Sequence, residues 1–379
     1  MGRFGDGIGV SSDLVRAAET AVAAALAPLQ GRTPDLALVF VSGPGPAEAG
    51  ERALELTGAA ATLGCSAQGV IGGGRGVEDV SAVSVFVGVL PGASLRTFHL
   101  EVMPKDGQAA VIGLPERGAA NEEVAVLLAD PYSFPVDGFV SRAATALSGL
   151  PFVGGVAHGP AGPGSTALWV DGRTVDRGAV GVLVGGASAR PLVSQGCRPV
   201  GPAMTVTGAH GNVVQELAGQ PALEKVRAVL AELAPPDQAL ASQGLQLGIA
   251  ANEYAEDHEY LVRSILGAEG DGLLVGDLVQ VGQTVRLQVR DADAADLDLR
   301  TTLARLPGQP GSGALLFSCN GRGAHLFGPS YGGADHDGQL VRSVLAADAV
   351  AGFFAGGEIG PVAGRSHLHG FTASVLVLP

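Results

Sequence analysis

Aromatic residues are only 4% of this 379-residue chain, and charged residues only 16%. With one Trp and four Tyr, the core has to be filled by aliphatic side chains, and 46% hydrophobic residues exclude a disordered polymer. Cations are scarcer than anions: 23 Lys and Arg against 37 Asp and Glu leave a net charge of −14, with no basic run to offset it. Such a surface repels phosphate, which argues against nucleic acid and anionic membrane as partners. No apolar stretch reaches the ~18 residues of a spanning helix. The N-terminus, Met1 to Asp6, carries an acid where a signal peptide would be basic. Cys65, Cys197 and Cys319 are odd in number and widely spaced, which excludes a disulfide framework and suits a reducing compartment. The expectation is a soluble, cytoplasmic protein.

What is abundant is glycine, 59 residues, with 23 Pro, as expected of many tight turns between short elements. The length predicts two domains. Ser11-Ser12-Asp13 caps a predicted helix running to Leu26. Leu36–Val41 is a continuous apolar run of the kind a strand buried on both faces shows. It is followed by the turn Ser42-Gly43-Pro44-Gly45, a helix over 48–57, the Gly-bounded segment 63–69 and a strand over 82–90. The order recurs: a strand at 124–128, a helix at 140–148, Phe152–Gly159, and a strand at 178–184. A third copy has a strand at 314–319, a helix at 339–346, the segment Gly352–Pro361 and a final strand at 371–378. Three such units predict an α/β fold of repeated strand-helix-strand units forming mixed sheets. Between the second and third lies a different stretch, with a helix at 221–233 and β-like segments at 245–250 and 273–289. The boundary is placed near Gly219-Gln220-Pro221, giving domains 1–220 and 221–379.

Several stretches resemble a known family. Leu63-Gly64-Cys65-Ser66-Ala67 with its flanking strands resembles the FIST N-terminal domain. Leu316-Phe317-Ser318-Cys319-Asn320-Gly321-Arg322-Gly323, then Gly352-Phe353-Phe354-Ala355-Gly356-Gly357-Glu358-Ile359-Gly360-Pro361 and His367-Leu368-His369-Gly370, resembles the FIST C-terminal domain. The resemblance implies two associated FIST domains acting as a sensory module for a small molecule such as an amino acid. Some bacterial members are described as haem-based nitric oxide sensors. Almost nothing precedes or follows the two parts, so any signal is expected to pass to a separate signalling protein, and no catalysis is expected.

The candidate ligand residues are Ser318, Cys319, Asn320, Arg322, Gly323, Gly357, Glu358, His367 and His369. The 318–323 turn follows a buried strand, the position where α/β sheets hold ligands. Asn320 donates and accepts, Arg322 offers a planar fork for a carboxylate, and the glycines admit close approach. The alternative is a structural turn with Arg322 paired to a nearby acid. Glu358 lies in an apolar, Gly-rich run and needs a partner, either Arg322 or a ligand ammonium. His367 and His369 alternate on a strand and share a face. With His325 and His336 nearby they form no zinc spacing, so no metal and no obligate cofactor is expected. One of these His, or His158, would serve as axial ligand were haem bound. Cys319 lacks a Cys-His-Asn order and reads as an inert buried thiol. Ser66 is not in a nucleophile elbow. Asp291, Asp293, Asp296 and Asp298 lack the Gly and Glu of a calcium loop and read as a solvated loop capping the next helix. The runs Gly5–Gly9 and Gly72–Gly76 match phosphate loops in glycine content alone.

Overall fold

The three apolar runs become the leading strands of three alike motifs. The structure, a computed structural model, describes residues 2–105, 108–116, 122–147, 149–252, 259–306 and 312–379. The first motif is β1 (Arg3–Val10), α1 (Leu14–Leu26), β2 (Leu36–Ser42), α2 (Pro46–Thr57), β3 (Ala61–Ala67), β4 (Gly69–Gly72), β5 (Arg75–Glu78) and β6 (Ala82–Val89). β2 and β3 pair in parallel with α2 as the crossover, and β6 runs antiparallel along the other side of β2. Every residue of β2 is buried, as its unbroken apolar run requires. The Asp13 carboxylate accepts the Arg16 amide and caps α1. Asp13→Ala should therefore cost about 1 kcal/mol of stability in chemical denaturation. The glycines at 5, 7 and 9 are strand residues and no phosphate loop. A Cβ at Gly5, Gly7 or Gly9 would stand 2.0–2.1 Å from the Ala25, Ala21 and Ala17 carbonyl oxygens, so the α1 backbone lies directly on β1.

The second motif is β7 (Ser94–Lys105), β8 (Gln108–Ile112), β9 (Glu122–Ala129), α3 (Val136–Ala146), β10 (Phe152–Val156), β11 (Leu168–Val170), β12 (Arg173–Val175) and β13 (Ala179–Gly185). β9 and β10 are the parallel pair, and β13 flanks β9. The helix expected over 140–148 starts earlier, directly after Pro135, whose fixed φ suits a helix entry; Ser148 lies outside the described residues. β14 (Arg190–Ser194) follows.

Next in the chain come β15 (Cys197–His210), β16 (Val213–Leu217), β17 (Gln220–Pro221), α4 (Ala222–Glu232), α5 (Pro235–Gln243), β18 (Leu245–Ala250), β19 (Tyr260–Glu269), β20 (Gly272–Val275), β21 (Thr284–Arg290) and α6 (Ala292–Ala304). The order β15-β21-β18-β19-β20-β16 closes on itself through β15–β16 pairing, making a small barrel filled by Val, Leu, Ile and Met. The β-like stretch at 273–289 is two strands. Asp291 does cap α6, accepting the Ala294 amide, but Asp293, Asp296 and Asp298 lie in the helix and not in a loop.

The third motif is β22 (Gly313–Cys319), α7 (Gly323–Leu326), α8 (His336–Leu345), β23 (Ala349–Ala355), β24 (Glu358–Val362), β25 (Arg365–His369) and β26 (Ala373–Leu378). β22 and β23 are parallel and β26 flanks β22. The three sheets are β1-β6-β2-β3-β11-β12, β25-β24-β10-β9-β13-β7-β8 and β14-β26-β22-β23-β4-β5. Each motif thus sends the hairpin after its parallel pair into another motif's sheet: β4–β5 onto β23, β11–β12 onto β3, β24–β25 onto β10. The exchange is cyclic. One core unites the inner faces of all three sheets, including Phe40, Phe317 and Phe353 with ring centroids 5.1–6.3 Å apart.

This interleaving gives two compact units that a single cut of the chain does not separate. One comprises Met1–Ser194, Leu299–Leu368 and Ala373–Pro379; the other comprises Gln195–Asp298 and His369–Thr372. The boundary placed at 219–221 falls inside the second unit, at β17.

Candidate functional site

In the first unit a cleft of about 590 Å³ opens beyond the carboxyl ends of β2, β3 and β10. Its walls are the β2–α2 turn (Gly43 to Pro46), Ser66 to Gln68, the Asp79–Ser81 turn and the loop from His158 to Ser165. Gly45 caps α2 from the left-handed region at φ 63°, with no side-chain cap, and Pro46 brings no N–H. The amino end of α2 therefore meets the cleft with its positive dipole end uncapped by any side chain. Ser66 ties the walls together. Its hydroxyl donates to the His158 carbonyl at 2.7 Å and accepts the Ala167 amide at 3.0 Å, and its carbonyl accepts the His158 amide at 2.9 Å. Ser42 donates to the Val80 carbonyl at 2.8 Å, and Tyr132 donates to Gly159 at 2.6 Å. Partial burial lowers the His158 pKa, so its imidazole is neutral at pH 7.

The residues expected to bind ligand divide into two groups. Arg322 is fully buried. Its Nε and Nη2 donate to Asp337 at 2.8 and 2.9 Å. Ser318 donates to the same carboxylate at 2.6 Å, and His336 Nδ1 lies 2.9 Å from it. The Phe327 ring stacks on His336 at 3.6 Å and lies 5.3 Å under the guanidinium. Burial opposes the Asp337 charge, but Arg322, supported by His336, overcomes it and holds that carboxyl far below the usual carboxylate range. Asp337, an acid the sequence did not single out, thus grips Arg322. Glu358 is buried on β24, opposite Gly155 of β10.

Asn320 is the member of the expected set that reaches the cleft. Its amide nitrogen donates to Gln68 Oε1 at 3.1 Å, and Gln68 is a wall residue. Cys319 is buried, its sulfur accepting the Gly321 amide at 3.4 Å. Gly323 opens α7 under Glu78, whose carboxylate accepts the Ala324 amide; a Cβ at Gly323 would stand 2.2 Å from Glu78 Oε1. Gly357 accepts the Val156 amide. His367 and His369 both lie on β25, with His369 buried. Among the described residues no three His, Cys, Asp or Glu group for a metal. Sequence reasoning missed the cleft itself. Its signals were present in the 42–46 turn and the 63–69 segment, which read as a turn and as a family stretch.

Family models match both parts of the chain, the FIST N domain over residues 35–220 and the FIST C domain over 222–361. The chain belongs to the FIST family. Two proteins of Mycobacterium tuberculosis, named as uncharacterised, are 41% identical over 389 residues and 39% identical over 385 residues, each covering 98% of both chains. A Mycobacterium bovis protein is also 39% identical over 385 residues. FIST domains are in general sensory domains. The cleft falls inside the FIST N match and the Arg322–Asp337 cluster inside the FIST C match. Both nevertheless belong to the first compact unit, because β22–β24 of the FIST C match lie in sheets with FIST N strands. No helix among the described residues is long and apolar enough to cross a membrane.

Proposed function

We propose that this FIST protein is a sensor that binds a small polar molecule, an amino acid or small carboxylate, and signals to a separate protein. The observation carrying this reading is the cleft at the carboxyl ends of β2, β3 and β10. The amino end of α2 suits a carboxylate, Asp79 on the opposite turn suits an ammonium, and Gln68 and His158 supply neutral hydrogen-bonding groups. Asn320 contributes by holding Gln68, and Arg322 acts from behind as a structural ion pair.

The reading includes no catalysis. The Ser66 hydroxyl is engaged on both sides, and burial pushes the Cys65 thiol well up, away from nucleophilic use. Haem on His158 fits this cleft poorly. A porphyrin needs an apolar slot beside its axial ligand, and the walls around His158 are Gly, Pro, Ala, Ser, Gln and Asp, with Val80 their one larger aliphatic side chain.

A thermal-shift screen of amino acids, small carboxylates and haem tests the proposal. A ligand at 100 times its Kd should add about 2.7 kcal/mol of stability, and Gln68→Ala and His158→Ala should abolish most of that gain. Affinity for an anionic ligand should rise as the pH falls and His158 takes up its proton. A screen that stabilises nothing would count for a ligand-free interaction module. A hit indifferent to both substitutions would move the site elsewhere.

A further inference from the structure

The three motifs differ in what lies over their crossover helix. In the first, α1 lies on α2 across the outer face of the sheet, its Ala17, Ala18 and Ala21 sharing one core with Ala49 and Ala53. The second motif has the same frame, with β7 beside β13 as β1 is beside β6. Yet among the described residues it has no helix before β9. In that place, between α3 and the end of β8, is an apolar groove of about 380 Å³ lined by Val111, Leu114, Phe139, Arg142, Ala143 and Leu147. That is room for the apolar side chains of one helix face and not for a helix body.

The charges match too. Each crossover helix carries an arginine as its seventh residue: Arg52 in α2, Arg142 in α3, Arg342 in α8. Arg52 pairs across the helix interface with Glu19 of α1 at 3.6 Å, and Arg342 pairs with Asp6. Arg142 lines the groove, and no ion pair joins it to an acid among the described residues.

We propose that this groove docks an amphipathic, acid-bearing helix of a partner protein, lying on α3 as α1 lies on α2. The apolar face enters between Phe139, Leu147 and Leu114 at i, i+3/i+4, i+7 spacing, and an acid takes for Arg142 the place Glu19 takes for Arg52. This names the kind of partner for the sensory reading, yet its test needs no small-molecule ligand, so either can fail alone.

The test is selection of displayed amphipathic helical peptides on the full-length protein, followed by solution binding of the selected peptides to wild type, Phe139→Asp and Arg142→Glu. The selected peptides should share an apolar stripe with a neighbouring acid. Phe139→Asp should weaken them about tenfold or more, as loss of a central anchor does. Arg142→Glu should weaken them likewise and favour a peptide whose acid is changed to Lys. Circular dichroism verifies folding, and if Phe139→Asp does not fold, the exposed Arg142→Glu decides alone. An empty selection overturns the proposal, as do peptides indifferent to the substitutions. So does a sedimentation experiment in which Phe139→Asp turns a dimer into a monomer, since the occupant is then a second copy.

Discussion

Arg322→Ala should lower the unfolding free energy by about 3–5 kcal/mol, the usual cost of stranding one partner of a buried ion pair. The carboxylate left behind, Asp337, is 3% exposed and keeps the Ser318 hydroxyl and the His336 ring in hydrogen-bond range, with no cation as strong as the guanidinium to hold its charge. Urea denaturation followed by Trp169 fluorescence reads the change directly, because Trp169 is the sole Trp and is fully buried. Arg322→Lys should recover part of the loss, since lysine lacks the two-pronged donor. Replacing both partners, Arg322→Met with Asp337→Leu, should recover most of it. The pH dependence has a definite sign. The folded-state pKa of Asp337 lies below its unfolded value, so its contribution is complete above about pH 4 and is lost progressively as the solution is acidified. A variant within 1 kcal/mol of wild type would show that the cluster is no support of the fold.

The second large effect is expected at Gly352. A Cβ there would stand 1.7 Å from the Leu316 carbonyl oxygen on the neighbouring parallel strand, and Gly64 stands similarly against Val39 at 2.3 Å. The obstacle is backbone inside a fully buried strand pair, so nothing flexible can yield. Gly352→Ala should cost at least about 3 kcal/mol or leave the protein insoluble. Gly356→Ala is the control. Its Cβ would find its nearest neighbour at 3.9 Å, and its melting temperature should stay near that of wild type. Equal melting of the two variants would contradict the strand pairing.

The repeat was legible because its leading strands, 36–42, 122–129 and 313–319, are buried on both faces and read as apolar runs. The hairpin exchange was not. Residues 69–78 form the same hairpin whatever strand they pair with, and nothing local says that Gly69 meets Phe354 rather than a strand of its own motif. The first strand of the chain, β1, was hidden for a related reason. Its alternating glycines carry no side-chain pattern, and their purpose emerges only when α1 lies on them. At the site, Asn320 and Arg322 were both singled out, but their neighbours Gln68 and Asp337 come from 252 and 15 residues away. Glu358 was the acid named for Arg322, and Asp337, which was not singled out, is brought onto the guanidinium only by the fold. The cleft escaped because it is assembled from four separate stretches of chain, each ordinary alone.

The cyclic hairpin exchange also sets a timetable for synthesis. β10 leaves the ribosome about two hundred residues before β24, the strand that pairs with Gly154 and Gly155. At roughly 5–20 residues per second, that is a wait of about 10–40 s. Throughout it, the edge of β10 is an open template and the β4–β5 hairpin has no β23 to lie on. The second sheet therefore stays open at β10 until β24 has been made, and β4–β5 waits for β23, while the first sheet has all its strands once Val175 has been made.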